Sequence, residues 1–393
     1  MSDLSAGASV AATRHIFLIA GEPSGDLLGA RLMAALKRRC EGELRFSGVG
    51  GPLMAAEGLD SLYPLEDFAV MGLVEVLPHV LRIRKRIAAL VARIEAECPE
   101  VLVTIDAPAF SLRVSRQLKG KGPCLVHYVA PSVWAWKAWR ARRIAGFLDC
   151  LLTLLPFEPP LFEVHGLKSV FVGHPAIEGQ SAAGSPSPPA IAAAGTGPLL
   201  CLLPGSRQGE IRRLLPVFRQ AVALLRRDLP DLRCVLPSLP GLAATLRRQT
   251  ADWPVPLQLL DDEAGKQAAF ASATAALAAS GTVAVELAVA GLPAVIAYRI
   301  NPVTAAIAKR LLKLRFVSLP NILLDREVQP ERLQWDCTPE ALAAALQPLL
   351  IDPQARARQQ AAYREVVHLL TPSGDVTPSE RAAETILALS ACR

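Results

Sequence analysis

The chain is short of charge and of every compact cofactor signature. Only 20% of its 393 residues are Asp, Glu, Lys or Arg while 51% are hydrophobic, which excludes a disordered chain and implies packed cores. No CxxC pair occurs. The eight cysteines (Cys40, Cys98, Cys124, Cys150, Cys201, Cys234, Cys337 and Cys392) are scattered, which argues against a structural zinc site and fits the reduced thiols of the cytoplasm. Neither GxGxxG after an opening strand nor GxxxxGK[ST] is present, so ordinary dinucleotide binding and P-loop phosphoryl transfer are disfavoured. No DxD and no cluster of Asp, Glu or His marks a metal site. The first residues carry an acid and no basic cluster ahead of an apolar core, so no signal peptide is expected.

What is there is alternation. Apolar strands at 15–20, 45–50, 101–106, 125–129, 151–155 and 169–172 are separated by helical patterns. Residues 179–198, rich in Gly, Ser, Pro and Ala, read as a linker. The alternation then restarts with strands at 199–203, 233–236, 257–260, 275–279 and 294–298. At this length two domains are expected, and strand–helix alternation implies parallel sheets covered on both faces. The expected fold is therefore α/β, two Rossmann-like doubly wound domains facing a central cleft. Domain boundaries fall at 1–178, 179–198 for the linker and 199–350. Helices fill 351–393, for which packing back on the N-terminal domain is one option.

A window over 268–298 is apolar enough to span a bilayer. It is mostly alanine, however, and holds Ser-Gly-Thr, Glu286 and Gly-Leu-Pro; an intramembrane Glu is costly, so it reads as protein core. The net charge of +6 is concentrated at Arg82 to Arg86, at Lys137 to Arg143 beside Trp134, Trp136 and Trp139, and at Lys309 to Arg315. Such mixtures fit an anionic membrane surface or nucleic acid, and equally an ordinary solvated helix face.

Two turns carry the chemistry. The run Ala275 to Ala279 stops at Ser280-Gly281-Thr282 and gives way to a helical pattern. A helix start of this kind presents unpaired N–H groups to a phosphate, and Glu286, one turn on, is placed for ribose hydroxyls. An N-capped core helix with one solvated Glu is the competing reading. The second turn, Leu203 to Arg207 with Gly205 and Ser206 inside it, offers a guanidinium that can grip a diphosphate, or a surface residue at a helix start. Transfer from a sugar nucleotide also needs a base for the acceptor hydroxyl. Asp106, at the end of a buried strand, fits that role or caps the next helix; Asp26 and Glu22 are weaker candidates.

The strings AGEPSGDLLGA (20–30), GVGGPLMAAEG (48–58), VMGLVEVLP (70–78), TIDAPAF (104–110), HYVAPSVWAWK (127–137), LLPGSRQGEI (202–211), ASGTVAVELA (279–288) and VSLPNILLDRE (317–327) closely resemble the lipid-A-disaccharide synthase family, in the family's order. The resemblance implies a GT-B glycosyltransferase, inverting and independent of metal or other cofactor. It implies transfer of a diacylglucosamine from UDP-2,3-diacylglucosamine to the 6-hydroxyl of 2,3-diacylglucosamine 1-phosphate (lipid X). Asp106 matches the family's essential aspartate and base. Gly205, Ser206, Arg207, Gly281, Thr282, Glu286 and Asn321 fall on its nucleotide-site motifs. Ser24, Gly25 and Asp26 occupy its amino-terminal glycine loop, expected to help hold the acceptor. Val70, Met71, Leu73, Val74, Val76 and Leu77, with Arg82, Arg84, Lys85 and Arg86, resemble the surface that reaches acyl chains and the inner leaflet. The implied location is cytoplasmic and peripheral to the inner membrane, with no nucleic-acid partner and assembly into oligomers left open.

Two positions depart from the family pattern. Ala109 stands where a second Asp is usual, and Pro23 replaces Thr in the glycine loop, which is expected to stiffen it. Two other readings remain. A UDP-sugar 2-epimerase shares the plan but needs no acyl-binding surface. A membrane- or nucleic-acid-binding protein leaves both turns unexplained.

Overall fold

A computed structural model describes residues 13–65, 80–135, 138–178, 196–301 and 315–390. The chain divides into two compact units. One holds the residues up to Pro175 together with those from Leu370 on, and the other runs from Ala176 to Leu369.

The first unit is built on six parallel strands: β1 (Arg14–Ala20), β2 (Leu44–Val49), β3 (Val101–Ile105), β4 (Cys124–Tyr128), β5 (Cys150–Thr153) and β6 (Lys168–Phe171). Their spatial order is β2-β1-β3-β4-β5-β6. Strand side chains alternate between faces, and β1 shows the consequence. Ile16, Leu18 and Ala20 pack with Leu28, Leu32 and Leu36 of the helix Pro23–Arg39, whereas Phe17 and Ile19 pack with Ile87, Leu90 and Ile94 of the helix Val80–Glu97. With both faces covered, β1 has no room for a polar face, and its six residues from His15 on are all buried.

The second unit carries β7 (Leu199–Leu203), β8 (Arg233–Pro237), β9 (Leu257–Leu260), β10 (Ala275–Ala279), β11 (Ala294–Tyr298) and β12 (Glu331–Leu333) in the order β12-β11-β10-β7-β8-β9. The alanine-rich window is here helix Glu263–Ser272, β10, helix Val283–Val289 and β11. β10 is buried on both faces, and its alanines let helices approach closely from either side. Among the described residues no helix is long and apolar enough to cross a membrane.

In each sheet the order reverses once, and in open α/β sheets ligands bind outside the carboxyl ends of the strands at that point. In the first unit the reversal lies between β1 and β3, where Ala20 is paired with Ile105. In the second it lies between β10 and β7, where Ala278 is paired with Leu203. The loop of residues 21–22 thus leaves beside Asp106, and the turn at Gly205 leaves beside the turn at Gly281.

Candidate functional site

In the second unit the two turns emerge side by side from neighbouring strands, as the register requires. Gly205 has φ +110°, and a Cβ there would come within 2.4 Å of Glu210 Oε2; only glycine fits such a conformation without strain. The clash atom is functional in the local fold. Glu210 Oε2 accepts the backbone N–H of Arg207 at 3.4 Å, closing the start of the helix Gln208–Asp228, and its Oε1 lies 3.7 Å from the Arg207 guanidinium. Ser206 is exposed and the Arg207 side chain is 67% exposed, so a group outside the fold can meet both. Across the neighbouring turn Gly281 is exposed with nothing within 4 Å of a Cβ position, and the exposed Thr282 does not cap its helix with its side chain.

Glu286, half-buried on the helix Val283–Val289, is not a lone solvated carboxylate. Its Oε2 lies 2.6 Å from Lys266 Nζ, on the helix Glu263–Ser272. Burial disfavours the ammonium, but Glu286 and Glu263 outweigh it and hold the Lys266 pKa above the usual value.

Asn321 lies inside the fold. Its side chain is fully buried, and both ends of the amide are hydrogen-bonded within the fold. Its oxygen accepts from Val328 N (2.7 Å) and Gln329 N (2.8 Å), and its nitrogen donates to Gln329 O and Glu331 Oε1, both at 2.8 Å. It acts at one remove: Gln329 Nε2 donates to the carbonyl of Ala284 at 3.1 Å, so the loop that Asn321 folds is tied to the helix bearing Glu286.

In the first unit Asp106 follows β3 in the left-handed region with φ +49°, and Ala107 after it has φ +44°. Two successive non-glycine residues in this region hold strain, which persists only where the surroundings impose it. Here the Asp106 N–H donates to Tyr128 O at 2.9 Å and its carbonyl accepts from the buried Ser111 Oγ at 2.7 Å. Gly21 makes room, since a Cβ there would sit 2.7 Å from Ala107 Cβ. The half-buried carboxylate keeps one long hydrogen bond, 3.5 Å from Ser24 Oγ to Oδ2. Beneath it Thr104 Oγ1 pairs with His127 Nδ1 at 2.8 Å; burial lowers the His127 pKa to about 4, so this histidine is a neutral core residue.

The expected glycine loop is helical. The helix starts at Pro23, so Ser24, Gly25 and Asp26 form its first turn. Proline suits that position because its missing N–H has no intrahelical partner to lose; Pro23 starts a helix rather than stiffening a loop. Asp26 is 3% exposed, and its carboxylate is fully engaged by backbone donors: Gly51 N and Met54 N on Oδ1 (2.8 and 3.0 Å) and Leu53 N on Oδ2 (3.0 Å). It caps the helix Pro52–Ala56 from a distance. Gly25, buried, packs 3.4 Å from Ala20 through its Cβ position. Ser24 alone of the three is exposed.

Val70, Met71, Leu73, Val74, Val76 and Leu77 lie outside the described residues, as does the side chain of Arg82. Arg84 and Lys85 are exposed. Arg86 is half-buried with its guanidinium 4.4 Å from the Tyr63 ring centroid, a cation–π contact. Among the described residues no group of three or more His, Cys, Asp or Glu could hold a metal ion.

The family model described as lipid-A-disaccharide synthetase matches residues 16–386. The chain belongs to the lipid-A-disaccharide synthase family. It is 51% identical to the lipid-A-disaccharide synthase of Rhodospirillum centenum over 95% of this chain and 94% of that one. With the lipid-A-disaccharide synthase of Paramagnetospirillum magneticum it shares 48% identity over 95% and 96%. Solved structures of the same fold include a putative UDP-N-acetylglucosamine 2-epimerase from Listeria monocytogenes (TM-score 0.66, 14% identity, 96% and 95% covered). MurG of Acinetobacter baumannii is also similar (TM-score 0.60, 15% identity, 96% and 100% covered). At such identities these two support the two-unit α/β fold alone.

Against the family pattern, Ala109 is exposed on the first turn of the helix Pro108–Gln117, two residues beyond the strained Ala107. Three side chains that contact these elements carry no signal of their own in the sequence. Lys266 stands 20 positions before its partner, Ser111 looks like any helical serine, and Glu158 follows an unremarkable Leu-Pro-Phe. Glu158 is 3% exposed, accepts from Trp134 Nε1 and Leu155 N (both 3.1 Å), and burial raises its pKa to about 7. The string around Trp134 was the one signal that could have pointed to it.

Proposed function

We propose that this chain, a hexosyltransferase of the lipid-A-disaccharide synthase family, moves 2,3-diacylglucosamine from UDP-2,3-diacylglucosamine to the 6-hydroxyl of lipid X. The products are UDP and the β-1′,6 disaccharide 1-phosphate of lipid A assembly. The carrying observation is the family match over residues 16–386. The positions of the motif turns at the sheets' reversal points support it.

The second unit takes the UDP-sugar. Backbone donors at Gly205, Ser206, Gly281 and Thr282 receive the diphosphate, Arg207 offsets its growing charge as it leaves, and Glu286 accepts ribose hydroxyls. The first unit takes the acceptor, with Ser24 beside Asp106. As the acceptor oxygen bonds to C1 and the C1–O bond to UDP breaks, Asp106 removes the 6-hydroxyl proton. Attack from the side opposite UDP inverts C1. No metal or cofactor is required. The basic residues Arg84 and Lys85, next to the 70–78 segment, bring the protein to the inner leaflet from the cytoplasmic side.

The test is UDP release from UDP-2,3-diacylglucosamine in detergent with a chelator, with and without lipid X. Release that needs lipid X and survives chelation is expected; release without lipid X overturns transfer in favour of hydrolysis or epimerase-type chemistry. Asp106→Asn is expected to abolish turnover with UDP affinity retained, and equal loss of both removes Asp106 from the role of base.

A further inference from the structure

The ion pair between Lys266 and Glu286 carries an inference beyond the residues matched by motif. Lys266 enters from the first turn of the helix Glu263–Ser272, which follows β9, whereas Glu286 sits on the helix that follows β10. They lie on different helices but converge at 2.6 Å between Nζ and Oε2. Both side chains are part-buried, 27% and 31% exposed. Neither is a freely solvated surface charge of the kind whose pairing contributes little. Glu263 backs the ammonium from the other side, with Oε1 at 3.6 Å from Nζ. The ammonium also lies over the Phe270 ring, with Nζ 5.7 Å from its centroid. The ammonium is therefore bracketed by Glu286, Glu263 and an aromatic face.

This bracketing fixes one oxygen of Glu286. Oε2 is occupied by the ammonium, while the contacts among the described residues leave Oε1 unclaimed. A carboxylate that must accept from ribose hydroxyls needs its plane fixed and its charge kept. A freely rotating glutamate supplies neither. Resting on the proposed role of Glu286 toward ribose, we propose that Lys266 is a positioning residue for nucleotide recognition: it clamps Glu286 through Oε2 so that Oε1 is presented to the sugar hydroxyls, and thereby sets the preference for a ribonucleoside diphosphate. The ligand chemistry concerned is the vicinal diol, not the base or the diphosphate.

That distinction supplies the test. UDP and 2′,3′-dideoxy-UDP share the uracil and the diphosphate and differ only in the hydroxyls that Glu286 would accept. Calorimetric binding of each to the full-length protein gives a preference ratio. The wild-type chain is expected to prefer UDP by at least about tenfold, the scale of one hydrogen bond to a charged group. Glu286→Gln is expected to lose most of that ratio. Lys266→Met is expected to lose it as well while keeping its affinity for dideoxy-UDP, and Lys266→Arg, which can still hold Oε2, to restore it. Retained dideoxy-UDP binding in Lys266→Met also reports an intact unit. A Lys266→Met protein that keeps the wild-type ratio while Glu286→Gln loses it overturns the clamp and spares the ribose role of Glu286. Equal loss of both nucleotides in Lys266→Met also overturns it, because the lysine then serves the diphosphate or the fold. A wild-type chain that binds both nucleotides equally overturns the ribose role itself and the clamp with it.

Discussion

Asp26→Asn separates a structural aspartate from a catalytic one. Two of the three N–H donors, those of Gly51 and Met54, converge on Oδ1, and only Leu53 N uses Oδ2. An asparagine whose carbonyl takes the Oδ1 place keeps the first pair and turns an amide toward Leu53 N. The loss is therefore one hydrogen bond to a charged acceptor, together with a donor facing a donor, at about 1.5–3 kcal/mol. That is about 10- to 150-fold in any opening equilibrium that exposes the turn. The turn is close enough that a Cβ added at Gly51 would lie 2.6 Å from Asp26 Oδ2. Amide hydrogen exchange resolves the effect by residue. Exchange at Leu53 is expected to accelerate by that factor, with a smaller change at Gly51 and Met54, and UDP affinity unaltered. Turnover lost while Leu53 exchange stays at the wild-type rate would refute the capping role and return Asp26 to the acceptor site.

Three further outcomes follow from the same geometry. Ser111→Ala removes the donor to the Asp106 carbonyl and is expected to cost about 1 kcal/mol of stability; it should lower kcat with the donor KM held, and a proportional change in both would detach Ser111 from aiming Asp106. Arg207→Ala should weaken UDP binding by up to about 1.5–3 kcal/mol, less if solvent screens the exposed guanidinium, and unchanged calorimetric affinity removes it from the diphosphate. Glu158 has its pKa raised by burial to about 7. The folded state therefore binds a proton more tightly than the unfolded one, and this group's stabilisation is complete below about pH 4.5 and lost as pH rises through about 7, a swing of about 3 kcal/mol. Urea unfolding of Glu158→Gln across that range should show a flatter pH dependence than wild type, and parallel curves would contradict it.

Eleven strand positions were legible because a parallel sheet covered on both faces must be apolar throughout, as in LLCLL of β7 and AALAA of β10. β12 was not, because its three residues, Glu-Arg-Leu, carry two charges and all remain only half-buried. The turn residues Gly205 and Gly281 were legible from strand–turn–helix spacing. The burial of Asp26 and Asn321 was not legible for a shared reason: a polar residue in a motif looks the same in sequence whether it faces a ligand or satisfies backbone donors inside the fold. Lys266 was hidden because its pairing is tertiary, made only when two helices separated by β10 are laid on one face of the sheet.

The chain's return to its first unit has a consequence for how the protein is made. Ala382, Ala383 and Ile386 of the helix Pro378–Ser390 belong to the same core as β1 and the helix Pro23–Arg39. The Ala176–Leu369 unit is contiguous and can close as soon as it leaves the ribosome, but the unit begun first must wait for the last helix. Biosynthesis therefore reverses the usual order in which amino-terminal domains finish first, leaving an apolar face of the Pro23–Arg39 helix uncovered through most of translation. A stop codon before 378 would damage the earliest-made half of the protein and leave the later-made half whole.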